Sequence, residues 1–320
     1  YSNLMCMKRK YLFYLLLCIL ACTACHSSGK SGKEETLYSG EIWIAVDESF
    51  KPIMEEELQV YQALTPEAII HPVYCSEVEA VSLLLKDSVR LAVTHRRLTE
   101  EELASFHARK FFPESVRLAT SGVALITHRN NPDSVITVEQ FRRIMTGRMT
   151  QWKELNPQSA LGAIQVVFDN PNSGLLHYVM DSICQGTALS PSLKAQKTNE
   201  EVIDYVASTP ASLGVIGANW IGNQADTTRL SFHQKVRVMA VCPAQETGTT
   251  HGFKPYQAYL ALKKYPFTTD VFLLVNDPRG ALPTGLMTFL TGDRGQRILL
   301  KSGLVPATQP VRIVNVKDDF

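Results

Sequence analysis

The sequence predicts an α/β protein of two lobes, each a mainly parallel sheet flanked by helices, with the chain crossing between the lobes twice. Strand and helix patterns alternate through residues 41–110, an order that calls for parallel strands joined by right-handed crossovers. A second alternating set occupies residues 137–216. Between the two sets lies Val116–Thr127, an apolar run too long for one lobe's strand, which reads as a crossing, and Val236–Cys242 reads as the return. Lobe I is then residues 40–120 plus 243–320 and lobe II residues 121–242, closing on an interlobe cleft through hinges near Ser121 and Val236–Val241.

The elements follow in order. Strand 41–46 leads through Asp47, Glu48, Ser49 and Phe50 into a helix over 50–63, with Ile53, Met54, Leu58 and Tyr61 inward and Pro52 in its first turn, where proline is tolerated. Strand 68–75 meets Ser76, whose spacing to Glu79 forms a capping box for helix 77–86. Strand 89–93 meets Thr94, His95, Arg96 and Arg97, then a second box, Thr99 with Glu102, for helix 100–110. In the second lobe Thr137 with Gln140 opens a helix through Val138, Phe141, Ile144 and Met145 that stops at Gly147, with Trp152 and Leu155 packed below. Ile164–Phe168 is a buried strand; Ser173 or Asn172 caps a helix whose inner face is Leu175, Leu176, Val179, Met180 and Ile183, ended by Gly186. Thr198 and Glu201 box a helix over 199–208, and Leu213–Ile216 is a strand between glycines. Tyr256–Leu262, Val271–Val275 and helices 281–291 and 294–302 complete lobe I.

The 320 residues suffice for two cores, and a formal charge of +1 without a long basic run argues against nucleic acid as a partner. Lys8, Arg9 and Lys10 precede the apolar stretch Tyr11–Ala21, too short to span a bilayer, and small residues with cysteine follow. Residues 1–25 therefore read as a lipoprotein signal, with Met5 or Met7 as its start and Cys22 or Cys25 as the lipidated residue; residues 26–39, rich in Ser, Gly and Lys, read as a flexible tether. An exported, lipid-anchored monomer at the periplasmic face of a bacterial membrane is expected. Only Cys75, Cys184 and Cys242 remain beyond the tether, allowing at most one internal disulfide, and no Cys or His cluster has metal-ligand spacing. No cofactor is called for.

Four strand ends carry small polar residues before a helix, so several backbone N–H groups and positive helix ends face one crevice, which suits an anion. Ser49, Ser76, Thr99 and Ser173 serve as helix caps on this reading, a role compatible with ligand binding. Asp47 and Glu48 are favoured near a helix N-terminus in any case. Arg96 and Arg97, if turned inward, match an oxyanion through the guanidinium fork. The same crevice gathers a hydroxyl (Ser49 or Ser173), an imidazole (His95) and a carboxylate (Asp169), the parts of an acyl-transfer triad, although no nucleophile-elbow motif accompanies them.

The segments ATSGVALITHRNNP, ITVEQFRRIMTGRMTQWKELN, the Ser-Gly turn at 173–174, ASLGVIG and MTFLTGDRGQRILLKSGLVPA make the chain resemble the phosphate-binding proteins of bacterial phosphate ABC importers, in their lipoprotein variety. The resemblance implies a two-lobed periplasmic-binding-protein fold that captures phosphate or a related oxyanion in the cleft and delivers it to an ABC permease and ATPase complex, without catalysis. By position it implies Ser49 and Phe50 in the first loop, Ser76 in the second, and Ser173 and Gly174 in the fourth as ligand residues. The chain departs at three places: His95 stands where the family has an acidic acceptor, Asp169 where it has an arginine, and Leu175 where it has a threonine. Charge is thereby exchanged across the cleft, with Asp169 expected to accept the oxyanion's proton and His95 and Arg96 to supply positive charge. The alternative is the same fold kept as a signalling or adhesion module, with hydrolysis a remote third.

Overall fold

A computed structural model describes residues 35–222, 231–243 and 251–311. Cys22 and Cys25 lie outside the described residues. The first lobe begins with β1 (Gly40–Asp47), a single 3-10 turn over 48–50, and α1 (Lys51–Leu64), followed by β2 (Ala68–Cys75), α2 (Glu77–Leu85), β3 (Leu91–Thr94) and α3 (Glu100–Ala108). β1 pairs in parallel with β2 on one side and β3 on the other, as alternating strands and helices require. The second half of β1, residues 44–47, is buried on both faces. Ile42, Ile44 and Val46 face a core built with Ile53, Met54, Leu58 and Tyr61 of α1, while Ala45 faces the other side with Ala80, Val81 and Leu84 of α2.

β4 (Glu114–His128) is the first crossing, fifteen residues long. Its first part, Glu114–Gly122, pairs antiparallel with β11 (Thr268–Val275), which joins it to β3; its second part, Val123–Thr127, pairs antiparallel with β8 (Ser212–Gly217). One strand thus belongs to both half-sheets. The outer pairs of both halves are parallel, since β8 pairs with β6 (Gln165–Phe168) and β6 with β7 (Lys194–Ala195). The antiparallel pairs are confined to the strands that carry the chain between lobes, where no helix crossover intervenes.

In the second lobe, β5 (Val135–Thr137) leads to α4 (Val138–Met145), where Thr137 and Gln140 form a reciprocal capping box. The chain leaves α4 through Gly147 at φ +75°, a left-handed turn that suits glycine. The short α5 (Trp152–Leu155) seats Trp152, fully buried, with its Nε1 donating to Ala211 O at 2.8 Å. Phe141, Trp152, Phe168, Leu176 and Leu213 form the core on one face of this half-sheet; Val202, Ile203 and Val206 of α7 (Asn199–Ser208) cover the other. The helix after Ser173 departs from a uniform α-helix: α6 (Gly174–Tyr178) widens into a π-turn over Val179–Ile183, which leaves Met180 half-buried.

The return crossing lies elsewhere than Val236–Cys242. That segment forms β9 (Val236–Val238), paired with the second part of β4, and β10 (Ala240–Cys242), paired with β5, so it stays in the second half-sheet. Tyr256–Leu262 contains α8 (Gln257–Ala261), and Leu260, Tyr265 and Phe267 pack into the second lobe's core beside Phe141. The chain enters the first half-sheet only with β11, directly after Phe267, whose carbonyl accepts from Val123 N. An apolar strand pattern marks burial and carries no label of its partner, which is why the two readings looked alike in sequence. α9 (Leu282–Thr291) and α10 (Asp293–Lys301) close the first lobe's core, and the short β12 (Val305–Pro306) pairs with β4. Cys75, Cys184 and Cys242 are free thiols. Among the described residues no helix is long and apolar enough to cross a membrane.

Candidate functional site

The strand ends of both lobes meet at a buried polar cluster. From the first lobe come Asp47, Glu48 and Ser49 after β1, Glu77 at the start of α2, and His95 after β3; from the second come Asp169 after β6, Ser173 and Gly174 at the start of α6, and Asn199 at the start of α7. Ser49 is not a helix cap. The carboxylate of Asp47 takes that role, accepting from Ser49 N at 2.9 Å, and the tight turn swings the Ser49 side chain inward. Ser49 Oγ lies 2.7 Å from His95 Nε2 and is also bonded to Asp47 Oδ1. Phe50, itself buried, packs its ring 4.3 Å from the His95 ring, and His95 Nδ1 faces Thr269 Oγ1 at 3.2 Å.

Across the cleft, Gly174 N donates to Asp47 Oδ2 at 3.1 Å. Ser173 Oγ caps α6 at Leu176 N and donates to Asp169 Oδ1 at 2.7 Å. Asn199 is fully buried; its backbone N and Nδ2 both donate to Glu48 Oε2, at 3.1 and 2.7 Å, and Nδ2 also reaches Asp169 Oδ2 at 3.3 Å. Asn219 Nδ2 and Trp220 Nε1 donate to Ser49 O at 2.8 and 2.9 Å. The lobes are therefore closed on one another. Beside this cluster lies a cavity of about 240 Å³ walled by Asp47, Ser76, Asp169, Ser173, Lys197 and Thr198, among others, so the caps of three helices from two lobes face one space.

Electrostatics divide the carboxyls. Burial raises the pKa of Asp47, but the hydrogen bond and charge of His95 and the bonds from Ser49 outweigh it, and Asp47 is held below the usual carboxylate range. Burial opposes charge on His95, yet Asp47, Glu77 and Asp169 prevail and raise it. Asp47 and His95 thus form an ion pair, 3.7 Å apart. Asp169 is pushed up to about 7, first by burial and then by the charge of Asp47, with the Ser173 bond acting the other way. Glu48 is raised by burial, partly offset by Asn199.

Several expected placements differ. Arg96 does not reach the cleft centre: its guanidinium is held by both oxygens of Glu102 at 2.8 Å, with Nε 3.5 Å from Glu77. A capping glutamate six residues on offered a bidentate partner closer than the cleft. Arg97 lies over the Phe272 ring at 5.0 Å. Ser76 caps α2 and lines the cavity rather than the Asp47 cluster. No triad is assembled either. The raised His95 pKa favours an imidazolium donating through Nε2 to Ser49 while Ser49 Oγ donates to Asp47, the reverse of a nucleophile surrendering a proton to imidazole, and Asp169 bonds Ser173 instead of His95. Glu77 and Asn199 were not singled out in the sequence, because Glu77 reads as a first-turn helix acid and Asn199 as a residue following a cap. Glu77 accepts from His95 N at 2.7 Å and approaches His177 at 3.7 Å, which raises the His177 pKa.

A family model described as a PBP superfamily domain matches residues 31–294. The phosphate-binding protein PstS of Pseudomonas aeruginosa is 21% identical over 294 residues, 88% of this chain and 87% of that protein. Among solved structures, a proposed phosphate ABC transporter substrate-binding protein from Clostridium perfringens, with bound phosphate, aligns with a TM-score of 0.70 at 21% identity over 84% of this chain and all of that one. An ABC-type phosphate transport receptor from Vibrio cholerae aligns with a TM-score of 0.62 at 20% identity over 83% of this chain and all of that one. These likenesses bear out the two-lobed fold.

Proposed function

The chain belongs to the PBP superfamily, and from that premise we propose that it captures phosphate or a related oxyanion in the interlobe cleft for an ABC importer's permease and ATPase. One observation carries the reading. A carboxylate, itself an oxyanion, is held at the cleft's centre by Ser49 N and Ser49 Oγ of one lobe and Gly174 N of the other, beside a cationic imidazole. The ligand set proposed is Ser49, Phe50, His95, Asp169, Ser173 and Gly174, with His95 rather than Arg96 supplying the charge and Ser76 set apart in the adjoining cavity. The lobes are taken to part at Gly122–Val123 in β4 and at Phe267–Thr268. The relatives are named as phosphate-binding proteins, which favours a receptor over an enzyme and gives no support to a non-transport module.

Asp169 sets the expected selectivity. Between its carboxyl and a bound oxyanion there is room for one proton, because two bare acceptors repel. Hydrogen phosphate brings that proton; sulfate takes it from Asp169, which holds one only below about pH 7. In calorimetric titrations with phosphate, sulfate and molybdate, sulfate affinity is expected to fall roughly tenfold per pH unit above about 7, while phosphate binding persists. Sulfate binding as tight at pH 8.5 as at pH 6, or no oxyanion binding by folded protein, counts against the proposal.

We infer further that the receptor is exported and anchored by lipid at Cys22 or Cys25 with residues 26–39 as tether. Intact-mass measurement on the membrane fraction is expected to find an acylated cysteine at the N-terminus. An unacylated product beginning after residue 39 would contradict it.

A further inference from the structure

The oxyanion position is already filled by this chain's own side chain. Asp47 is buried, and its two oxygens are taken up by Ser49 N, Ser49 Oγ and, from the opposite lobe, Gly174 N, with His95 Nε2 at 3.7 Å. Its neighbour Glu48 does the same at a second place, accepting from both the backbone and side-chain nitrogens of Asn199. Two consecutive carboxylates of the first lobe therefore satisfy donors of the second. The fit is close: a Cβ at Gly174 would stand 2.2 Å from His95 Cδ2 and 2.7 Å from Glu77 Oε2, so the lobes meet with no space between them at this point.

We infer that Asp47 is an internal ligand: the unliganded protein closes on its own carboxylate, and an external oxyanion binds by displacing it. The inference rests on the oxyanion reading of the cleft. An oxyanion and the Asp47 carboxylate cannot share the Ser49 and Gly174 donors, since both are acceptors of like charge. The displaced side chain has a place to go. Asp47 forms part of the wall of the 240 Å³ cavity, where Lys197, Ser76 and Thr198 offer a cation and two hydroxyls. Apparent affinity is then reduced by the fraction of molecules in which Asp47 is seated, and ligand binding exchanges one closed state for another instead of closing an open one.

The test pairs phosphate titration with small-angle scattering on the wild-type chain, Asp47→Ala and Asp47→Asn; the asparagine variant keeps the shape and removes the charge should the alanine variant fail to fold. Expected for the wild type is a radius of gyration unchanged by phosphate. Expected for Asp47→Ala is an expanded unliganded form that compacts on adding phosphate, with affinity raised at least about tenfold. If the wild type binds phosphate and both variants bind it no better, the inference is overturned while the phosphate reading stands. If Asp47→Ala opens yet binds no phosphate, sulfate or molybdate, closure on Asp47 is supported and the phosphate reading is what falls. A variant as compact as the wild type without ligand overturns the inference.

Discussion

In the Asp47→Ala protein, whose unliganded form is expected to be open, replacing Gly174 by alanine as well is expected to weaken phosphate binding roughly ten- to a hundredfold and to hold the protein open at phosphate concentrations that close Asp47→Ala. The added Cβ meets His95 Cδ2 at 2.2 Å, Glu77 Oε2 at 2.7 Å and His95 Cγ at 2.8 Å. Neither neighbour can give way cheaply. His95 is pinned by Ser49, Thr269 and the Phe50 ring, and Glu77 holds the His95 backbone N–H. Overpacking of this kind costs about 1–3 kcal/mol, which corresponds to the affinity loss stated. The clash exists only when the lobes meet, so the penalty falls on the closed state and thermal stability of each lobe's core should change little. Titration together with scattering checks both halves. A double variant that binds phosphate as tightly as Asp47→Ala alone would show that closure does not bring His95 against this glycine.

Glu57→Gln is expected to stabilise the protein by on the order of 3 kcal/mol at pH 7 and by almost nothing at pH 4.5. Glu57 sits on the inward face of α1 with Ile53, Met54, Leu58 and Tyr61, and neither of its oxygens has a hydrogen-bond partner. Burial, with a smaller contribution from Glu56, pushes its carboxyl up to about 9, so the folded protein keeps it neutral while the unfolded chain ionises it from about 4.5 upward. The folded state binds the extra proton. Stability is therefore fully present below the unfolded value and is lost as pH rises toward 9, by about 1.4 kcal/mol per unit. Glutamine has nothing to ionise and removes the slope. At pH 7 a rise in melting temperature of roughly 6 °C is expected, shrinking to zero toward pH 4.5. Equal melting temperatures at pH 7 would mean that Glu57 finds water or a partner in solution.

Elements with local signals were legible in sequence. The Thr137 and Thr99 boxes, Pro52 in a first turn and the strand-helix alternation placed the helices of both lobes to within a residue or two. The crossing strand was legible because Val116–Thr127 exceeds what one half-sheet needs. The return crossing was not: Val236–Cys242 is apolar enough to cross, but partner choice is a tertiary matter and it pairs within its own lobe. That Ser49, His95, Asp169, Ser173 and Gly174 gather in one cluster was legible from their place at strand ends. What sequence could not show was which charge each would meet. Asp47 looked like a first-turn acid and instead spans the cleft; Arg96 looked free and is held by Glu102; Glu57 sat at an inward helical position that hydrophobic periodicity counts only when the residue is apolar.

The most direct measurement is a crystal structure of the Asp47→Ala protein grown with phosphate. A tetrahedral anion is predicted where the carboxylate now sits, within hydrogen-bond distance of Ser49 N, Ser49 Oγ and Gly174 N, with the lobes closed upon it and His95 beside it. Lobes closed around a cleft without an anion, or phosphate bound away from Ser49 and Gly174, would contradict the assignment of this cleft as an oxyanion site.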